Sequence, residues 1–300
     1  MLNEIKIPVS KSDAISALNL LAGTREVEVE LPILRTKARV TPILGGEELK
    51  LHTMRTSGKA FIKEFNKLLF NHCTFDGVQF EGVEDFERNL SPADKSMLVY
   101  ALLDSTFTKL PEKVITCPSC GQVDNHSPKP SDIFHTDSIK KVWDHSEEFV
   151  DFEIESKIIP GLTVFYGIPT EEDSLKIIES KENSDLRNSV SENDNILNSL
   201  EVFSIYIKKI IIANPTKEDK ENCIILTDKT SEIIPTIQDM PLDLKSKLLE
   251  DETINQFADY VPSFYLNINC SNLNCELKTF KWDNINPEQD FFRKALSVYN

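Results

Sequence analysis

Two pairs of cysteines are the residues in this chain whose types and spacing could support chemistry. Cys117 and Cys120 occur in KVITCPSCGQVDN, and Cys270 and Cys275 occur in FYLNINCSNLNCELKTFKW. Runs that read as strands flank both pairs, so each pair is expected on a tight turn. Two such turns can present four sulfurs to one cation, and four thiolates in a closed tetrahedron are a typical ligand set for Zn²⁺. The sequence therefore predicts one zinc ion per chain.

The first pair carries the more specific signal. In C-P-x-C-G the two ligands are followed by Gly121, which can adopt the positive φ that ends a metal-binding turn. The second pair encloses a longer spacer with two asparagines, which tolerate left-handed backbone better than most residues. The alternative is that all four are ordinary small buried residues, as free cysteines often are. Burial is also the default expectation for the isolated Cys73 and Cys223.

The predicted metal is structural. A catalytic zinc keeps one coordination position open for water, whereas four thiolates leave none. A zinc deaminase needs His-x-Glu upstream of Pro-Cys-x-x-Cys, but here His145 and Glu147 follow the first pair, and the proline lies between the cysteines. The sequence also lacks a phosphate-binding glycine loop, G-x-S-x-G and His-Glu-x-x-His. An enzyme is therefore not predicted.

The composition is that of a globular protein of about two domains. The 300 residues carry 49 acidic and 33 basic side chains, for a net charge of −16. This excess disfavours nucleic acid or an anionic membrane as the main partner. No apolar run reaches the length of a membrane span, and the first residues do not have the pattern of a signal peptide. Thiols reserved for zinc indicate folding in a reducing compartment such as the cytosol.

Secondary-structure signals place the cysteine pairs in an α+β chain. Alternating apolar and polar residues predict a hairpin at 25–44 and a second hairpin at 151–168. Ser91, Pro92 and Asp94 have the positions of a helix cap, a first-turn proline and an acid three residues after the cap. They predict a helix that leads into the first cysteine pair.

The separation of the two cysteine pairs is far too long for a simple ribbon loop. The sequence therefore predicts an α+β fold in which a four-cysteine zinc ribbon is split by a mainly helical insertion. The predicted regions are an N-terminal α+β region (1–112), the split ribbon (113–130 and 262–284), the insertion (131–261) and a C-terminal helix (285–300).

One segment of the insertion has the pattern of an amphipathic helix. Apolar residues, among them Phe203 and Ile207, recur at helical spacing through 196–213. Such a stripe is typical of a core helix. The alternative is a docking face for a partner subunit.

Further candidate contact elements lie at the ends of the chain. Residues 1–24 are expected to form a loosely held arm. The C-terminal helix carries two adjacent phenylalanines, Phe291 and Phe292, which are expected to be exposed. The segment 179–195 is almost without apolar residues and reads as a solvated linker or helix end. If these elements contact a partner, the candidate contact residues are Phe203, Ile207, Phe291 and Phe292.

The order of these features resembles the T-even-type phage base plate protein family, which includes baseplate hub subunits of contractile-tailed phages and related tail-assembly proteins. The first features in this order are a strand around Leu31-Pro32, the segment GGEELK, a helix ending in His72-Cys73, and CPSCG. They are followed by a strand that ends in YGIP, by the second cysteine pair and by a terminal FFR. The resemblance covers most of 25–175 and the last part of the chain. The second pair is C-x₄-C here rather than the tighter C-x₂-C associated with such zinc ribbons, and 179–195 has no counterpart.

The resemblance implies a structural subunit of a phage tail baseplate, in the hub or at its attachment to neighbouring proteins. Such a subunit folds in the host cytoplasm and resides in the virion tail. Its implied partners are other baseplate and tail proteins, with no small-molecule substrate. One alternative is a tail-assembly chaperone that is not retained in the virion. Another is a zinc-ribbon accessory protein in transcription or another nucleic-acid process, against which the lack of a basic run argues.

Overall fold

Small antiparallel sheets and helices alternate along the chain. The computed structural model describes residues 10, 25–44, 46–47, 58–142, 153–183, 203–213 and 223–297. The strands are β1 (Val27–Glu30), β2 (Lys37–Val40), β3 (Cys73–Phe75), β4 (Lys113–Thr116), β5 (Val123–His126), β6 (Glu153–Ile159), β7 (Leu162–Gly167), β8 (Ile207–Ala213), β9 (Cys223–Thr227), β10 (Leu266–Asn269) and β11 (Thr279–Trp282). The helices are α1 (Lys59–His72), α2 (Val83–Asn89), α3 (Pro92–Thr106), α4 (Glu171–Asn183), α5 (Thr230–Gln238), α6 (Leu242–Leu249), α7 (Asn255–Ala258) and α8 (Pro287–Ser297). Among these helices, none combines the length and apolar character needed to cross a membrane.

Some predicted segments fall outside the described residues. They comprise nearly all of the arm at 1–24, most of the polar segment at 179–195, and residues 196–202.

α3 is the helix around which the N-terminal part packs. The Ser91 hydroxyl oxygen accepts a hydrogen bond from the Asp94 backbone N–H at 3.0 Å, and Pro92 occupies the first turn. This is the helix start that the sequence predicts. Buried residues lie on all sides of α3, so neighbouring elements cover it all round.

The first hydrophobic core joins the sheet β1-β2-β3 to α1, α2, α3 and α8. Val29 and Ala38 face it from the sheet, and Ile115 of β4 belongs to the same cluster. Leu266 and Ile268 of β10 belong to it as well. The apolar faces of both cysteine hairpins are therefore part of this core.

The second hydrophobic core lies mostly within the insertion and also includes Ile33 and Ala93 from the N-terminal region. β6, β7, β8 and β9 form a four-stranded antiparallel sheet in that order. The predicted hairpin at 151–168 is present as β6 and β7, with Gly161 at φ 92° in the turn between them. Val164 and Ile210 of the sheet pack with Ile233 of α5.

The prediction of a helix across 196–213 is wrong over its last part. Ile207–Ala213 is a strand, β8, that pairs with β7 on one side and β9 on the other. Its isoleucines are β-branched and favour extended backbone, and a short apolar run does not distinguish a buried strand from a helix by periodicity. The insertion contains several helices, but it is organised around this sheet.

Buried charged groups connect the two cores at the start of α3. The Asp94 carboxylate accepts hydrogen bonds from the Ile33 backbone N–H at 2.9 Å and from the Ser91 hydroxyl at 2.8 Å. Burial raises the pKa of Asp94 to about 7. One residue further on, the Lys95 ammonium lies 2.6 Å from the Glu171 carboxylate of α4, and both side chains are buried.

Candidate metal centre

The four cysteines of the two predicted pairs meet at one point. The Cys117 Sγ lies 3.7 Å from the Cys275 Sγ, and the Cys120 Sγ lies 3.5 Å from the Cys270 Sγ. All four sulfurs are within 4.8 Å of one another, the one such group of potential metal ligands in the described ranges. Sulfurs in a disulfide are about 2 Å apart. The four residues are therefore free thiols.

β4 and β5 present Cys117 and Cys120 on a tight turn. The Cys117 backbone N–H donates to the Gln122 carbonyl at 2.7 Å, and the Gly121 N–H donates to the Cys117 carbonyl at 3.0 Å. Gly121 has φ 73°, a conformation that glycine adopts without the steric cost of a Cβ. The positive φ expected at Gly121 is therefore present.

β10 and β11 present the second pair on a longer turn that a side chain stabilises. The Cys270 N–H donates to the Lys278 carbonyl at 2.9 Å, and the Cys275 N–H donates to the Asn272 carbonyl at 3.0 Å. The Asn272 side-chain oxygen also accepts from the Asn274 N–H at 3.0 Å, which is an Asx-type turn. The longer spacer is thus folded so that its two cysteines converge as in the shorter turn.

A hydrogen bond joins the two hairpins beside the sulfurs. The Ser271 hydroxyl donates to the Asp124 carboxylate at 2.7 Å. This bond lowers the pKa of Asp124. Sequence reasoning missed both residues, because neither belongs to a motif; their only signal is that each lies within a few positions of a cysteine.

A buried ion pair fixes the first hairpin to the C-terminal helix. Lys113, at the start of β4, pairs with Asp290 of α8, and both side chains are buried. The Lys113 ammonium also lies 6.0 Å from the ring centre of Trp282 in β11, at the limit of a cation–π contact. One lysine thereby contacts both hairpins and α8. Removing either member of the pair would leave an uncompensated buried charge.

The thiol cluster has a buried side and an exposed side. Cys117 and Cys275 are each 3% exposed, whereas Cys120 is exposed and Cys270 is half-buried. A hydrogen bond from the Gln122 backbone N–H lowers the pKa of Cys120 to about 7. Loss of contact with water raises the pKa of Cys270 to about 12. Because adjacent thiolates repel one another, a cation would be needed for all four to ionise at neutral pH.

The donor set fits a tetrahedral metal–thiolate centre. With metal–sulfur bonds of about 2.3 Å, the sulfurs of such a centre lie about 3.8 Å apart. The two measured separations of 3.7 Å and 3.5 Å are close to this value. Thiolate ligands favour zinc or iron–sulfur chemistry over hard cations such as Mg²⁺ and Ca²⁺. The cluster can therefore hold one thiophilic metal ion.

The predicted partner-binding residues lie in or against the two hydrophobic cores. Phe291 is fully buried, with its ring centre 5.7 Å from that of Phe65, and the half-buried Phe292 is 4.9 Å from the same ring. Phe203 and Ile207 are buried in the second core. The expected exposure is wrong for Phe291, because α8 packs its aromatic side chains against α1 and the first core, and Phe292 remains half-buried. These side chains do not form an open contact face.

Among the described side chains, the isolated Cys73 is not part of the thiol cluster. Cys73 is half-buried against the first core, and loss of water contact raises its pKa. Cys223 begins β9, and its side chain lies outside the described part of the structure.

The geometry thus establishes four clustered cysteines in a mixed α/β chain. Comparison of the chain with protein-family models, with curated proteins and with solved structures finds no match.

Proposed function

We propose that the four cysteines bind one structural Zn²⁺ and thereby close a split zinc ribbon. The observation that carries this proposal is the convergence of four sulfurs from two hairpins, in which Cys117 and Cys275 are 158 positions apart. Four thiolates complete the tetrahedral coordination of zinc, so no position remains for water or substrate. The ion would act as a crosslink rather than as a reaction centre.

A crosslink of this kind suits the small size of the two hairpins. Each has only two short strands, and a single two-stranded hairpin is marginally stable in water. The outer faces of β4 and β5 carry exposed Val114 and Val123 instead of a second covering layer. A metal can fix such a unit without a large core of its own.

Metal content tests the ligand set. We expect about one zinc per chain in the purified protein and none in the Cys270→Ser, Cys275→Ser double variant, since two thiolates bind zinc far more weakly than four. Cys73→Ser is the matched control, because it removes a cysteine outside the cluster and is expected to keep the metal. Full zinc content in the double variant would contradict the proposed ligands.

We further propose that the zinc-stapled protein is a structural subunit of a phage tail baseplate, in the hub or at its attachment to neighbouring proteins. The resemblance in the order of CPSCG, YGIP, the second cysteine pair and FFR is the basis for this assignment. A closed metal site and an acidic chain with a net charge of −16 agree with a role in protein assembly.

Mass spectrometry of purified phage particles tests the assignment. We expect the chain at a fixed ratio to other baseplate proteins in intact particles. Its presence in assembly intermediates but not in finished particles would instead indicate an assembly chaperone. Absence from both would contradict a tail function, and tight salt-sensitive binding to DNA or RNA would then favour the nucleic-acid alternative.

A further inference from the structure

Within the described ranges, β1 pairs with a neighbouring strand along only one of its two edges. In the sheet order β1-β2-β3, only β2 pairs with β1. The Leu31 N–H donates to the Thr36 carbonyl of the adjoining turn at 2.9 Å. Because hydrogen bonding alternates along an antiparallel strand, Val29 also bonds to β2, while Glu28 and Glu30 direct their backbone N–H and C=O groups away from it.

The pairing on the far side of β2 supports this assignment. The Asp76 N–H donates to the Lys37 carbonyl at 2.9 Å, so Lys37 bonds to the β3 side. Its register partner Glu30 therefore has no backbone bond to β2. Among the described residues, no hydrogen bond uses the backbone groups of Glu28 or Glu30. An edge of this kind is a template for pairing with another strand.

A groove of about 650 Å³ runs along this edge. Residues of β1 form one side, and Met97 and Tyr100 of α3 contribute apolar surface. Phe134 and Ile139, from the segment after β5, form the opposite side and are half-buried. The volume is in the range of sites that accept ligands, and successive residues of β1 line the groove, which suits an extended peptide.

The negative charge of the glutamates along the groove favours one kind of bound strand over another. Lys37 pairs with Glu28 at 2.8 Å, but Glu26 and Glu30, which also line the groove, have no ion pair within the described part of the chain. A second copy of β1 would place glutamates opposite or diagonal to glutamates, and like charges in such positions are destabilising. Basic side chains at alternate positions would instead face carboxylates, with apolar ones between them against α3.

We propose that β1 is a docking edge that accepts an extended segment of a partner protein, with alternating basic and apolar side chains, as an additional strand. This docking edge would serve the proposed baseplate function. The proposal rests on that function only for the identity of the partner protein. Main-chain hydrogen bonds to Glu28 and Glu30 would provide affinity, and the groove would select the side chains.

A synthetic peptide tests the docking edge in the full chain. The probe is fluorescent KVKVKVK, and the control peptide is EVEVEVE. Glu28→Pro removes the outward N–H without removing a bond to β2, and an edge strand tolerates proline. Glu28→Ala is the matched variant, because it removes the same carboxylate but keeps the N–H. We expect KVKVKVK to bind Glu28→Pro at least tenfold more weakly than Glu28→Ala, with equal thermal stability of the two variants.

Residue-level amide exchange gives a second, independent readout. The Glu28 and Glu30 amides are expected to exchange fast in the free protein and to be protected when KVKVKVK binds. Slow exchange in the free protein would mean that another segment of this chain already covers the edge, and would overturn the proposal. Equal binding by the proline and alanine variants, or no binding to the unmodified chain at about 1 mM peptide, would also overturn it. None of these three results bears on whether the chain occurs in phage particles.

Discussion

The cysteine hairpins and the four-stranded sheet are both built from short antiparallel strands, but they reach a fixed shape by different means. Each hairpin has two strands, and the two meet at four thiols. The sheet β6-β7-β8-β9 has twice as many strands and a hydrophobic core with α5. Pairs of strands need either further strands with an apolar face or a crosslink. We therefore expect the first region to depend on metal in addition to its contacts with the first core, and the second to depend on apolar burial.

Metal removal has the largest expected effect on this contrast. A structural zinc contributes on the order of 10 kcal/mol to folding, so a chelator should abolish amide protection in β4, β5, β10 and β11. The four-stranded sheet should keep its protection, because its core contains no metal ligand. Hydrogen exchange with mass spectrometry, before and after chelation, measures both regions at once. Equal loss of protection in the two regions would show that they unfold as one unit.

Asp94 lies at the start of α3, where the two hydrophobic cores adjoin, and its titration should affect stability strongly. The carboxyl ionises near pH 4 in an unfolded chain and has a pKa of about 7 in the folded protein. Its stabilising contribution is thus present below pH 4 and is lost as the pH rises through 7. The unfolding free energy should fall by up to about 4 kcal/mol from this group between pH 4 and pH 8.

Denaturant unfolding of the unmodified chain and of Asp94→Asn at several pH values checks this prediction. The amide does not ionise, so the stability of the unmodified chain should decrease relative to the variant as pH rises. The exposed Asp283→Asn serves as control. A constant difference between the unmodified chain and Asp94→Asn would contradict the assignment.

Ile210→Ala tests the second core alone. Ile210 is fully buried in β8, and truncation of such a side chain costs about 3 kcal/mol. Thermal or denaturant unfolding should show this loss while zinc content stays unchanged. Leu242→Ala is the matched control, because that leucine is 77% exposed and its loss should change stability by less than about 0.5 kcal/mol. Loss of zinc in Ile210→Ala would show that the metal site depends on the sheet.

Gly121→Ala has the smallest expected effect and acts on the first region. An added Cβ would meet nothing within 4 Å, so its cost comes from φ 73° alone. That cost is about 1 kcal/mol, which corresponds to about a fivefold lower zinc affinity. Competition with a chromophoric chelator measures it. Gly82→Ala is the control, since Gly82 has extended backbone and equally open surroundings; an equal effect of both changes would contradict the explanation.

The cluster of four cysteines was predictable from sequence because its members are of one rare residue type and lie on local turns. Spacing alone identified Cys117 and Cys120, and the second pair followed from the same pattern despite its longer turn. The Asp124–Ser271 bond and the Lys113–Asp290 pair were not predictable, since each joins distant, ordinary polar residues. Their partners are determined by how the hairpins pack, which no local pattern encodes.

Sequence patterns predicted the structure least well where an apolar residue could belong to either of two structural environments. Ile207 lies in a segment with helical spacing, yet it belongs to a strand because β7 and β9 supply backbone partners on both sides. Phe291 occurs near the end of the chain and reads as exposed, yet it is covered because α1 supplies an aromatic surface for α8. In both cases the deciding contact comes from a remote part of the chain.

Cys117 and Cys275 are 158 positions apart, so the four cysteines become available together only late in translation of this segment. At translation rates of about 5–20 residues per second, the first two thiols wait about 8–30 s for the other two. During that interval the nascent chain has only half a binding site, and Cys120 remains open to oxidants and to competing metals. The cluster of four cysteines is therefore complete only after the whole stretch between Cys117 and Cys275 has been made.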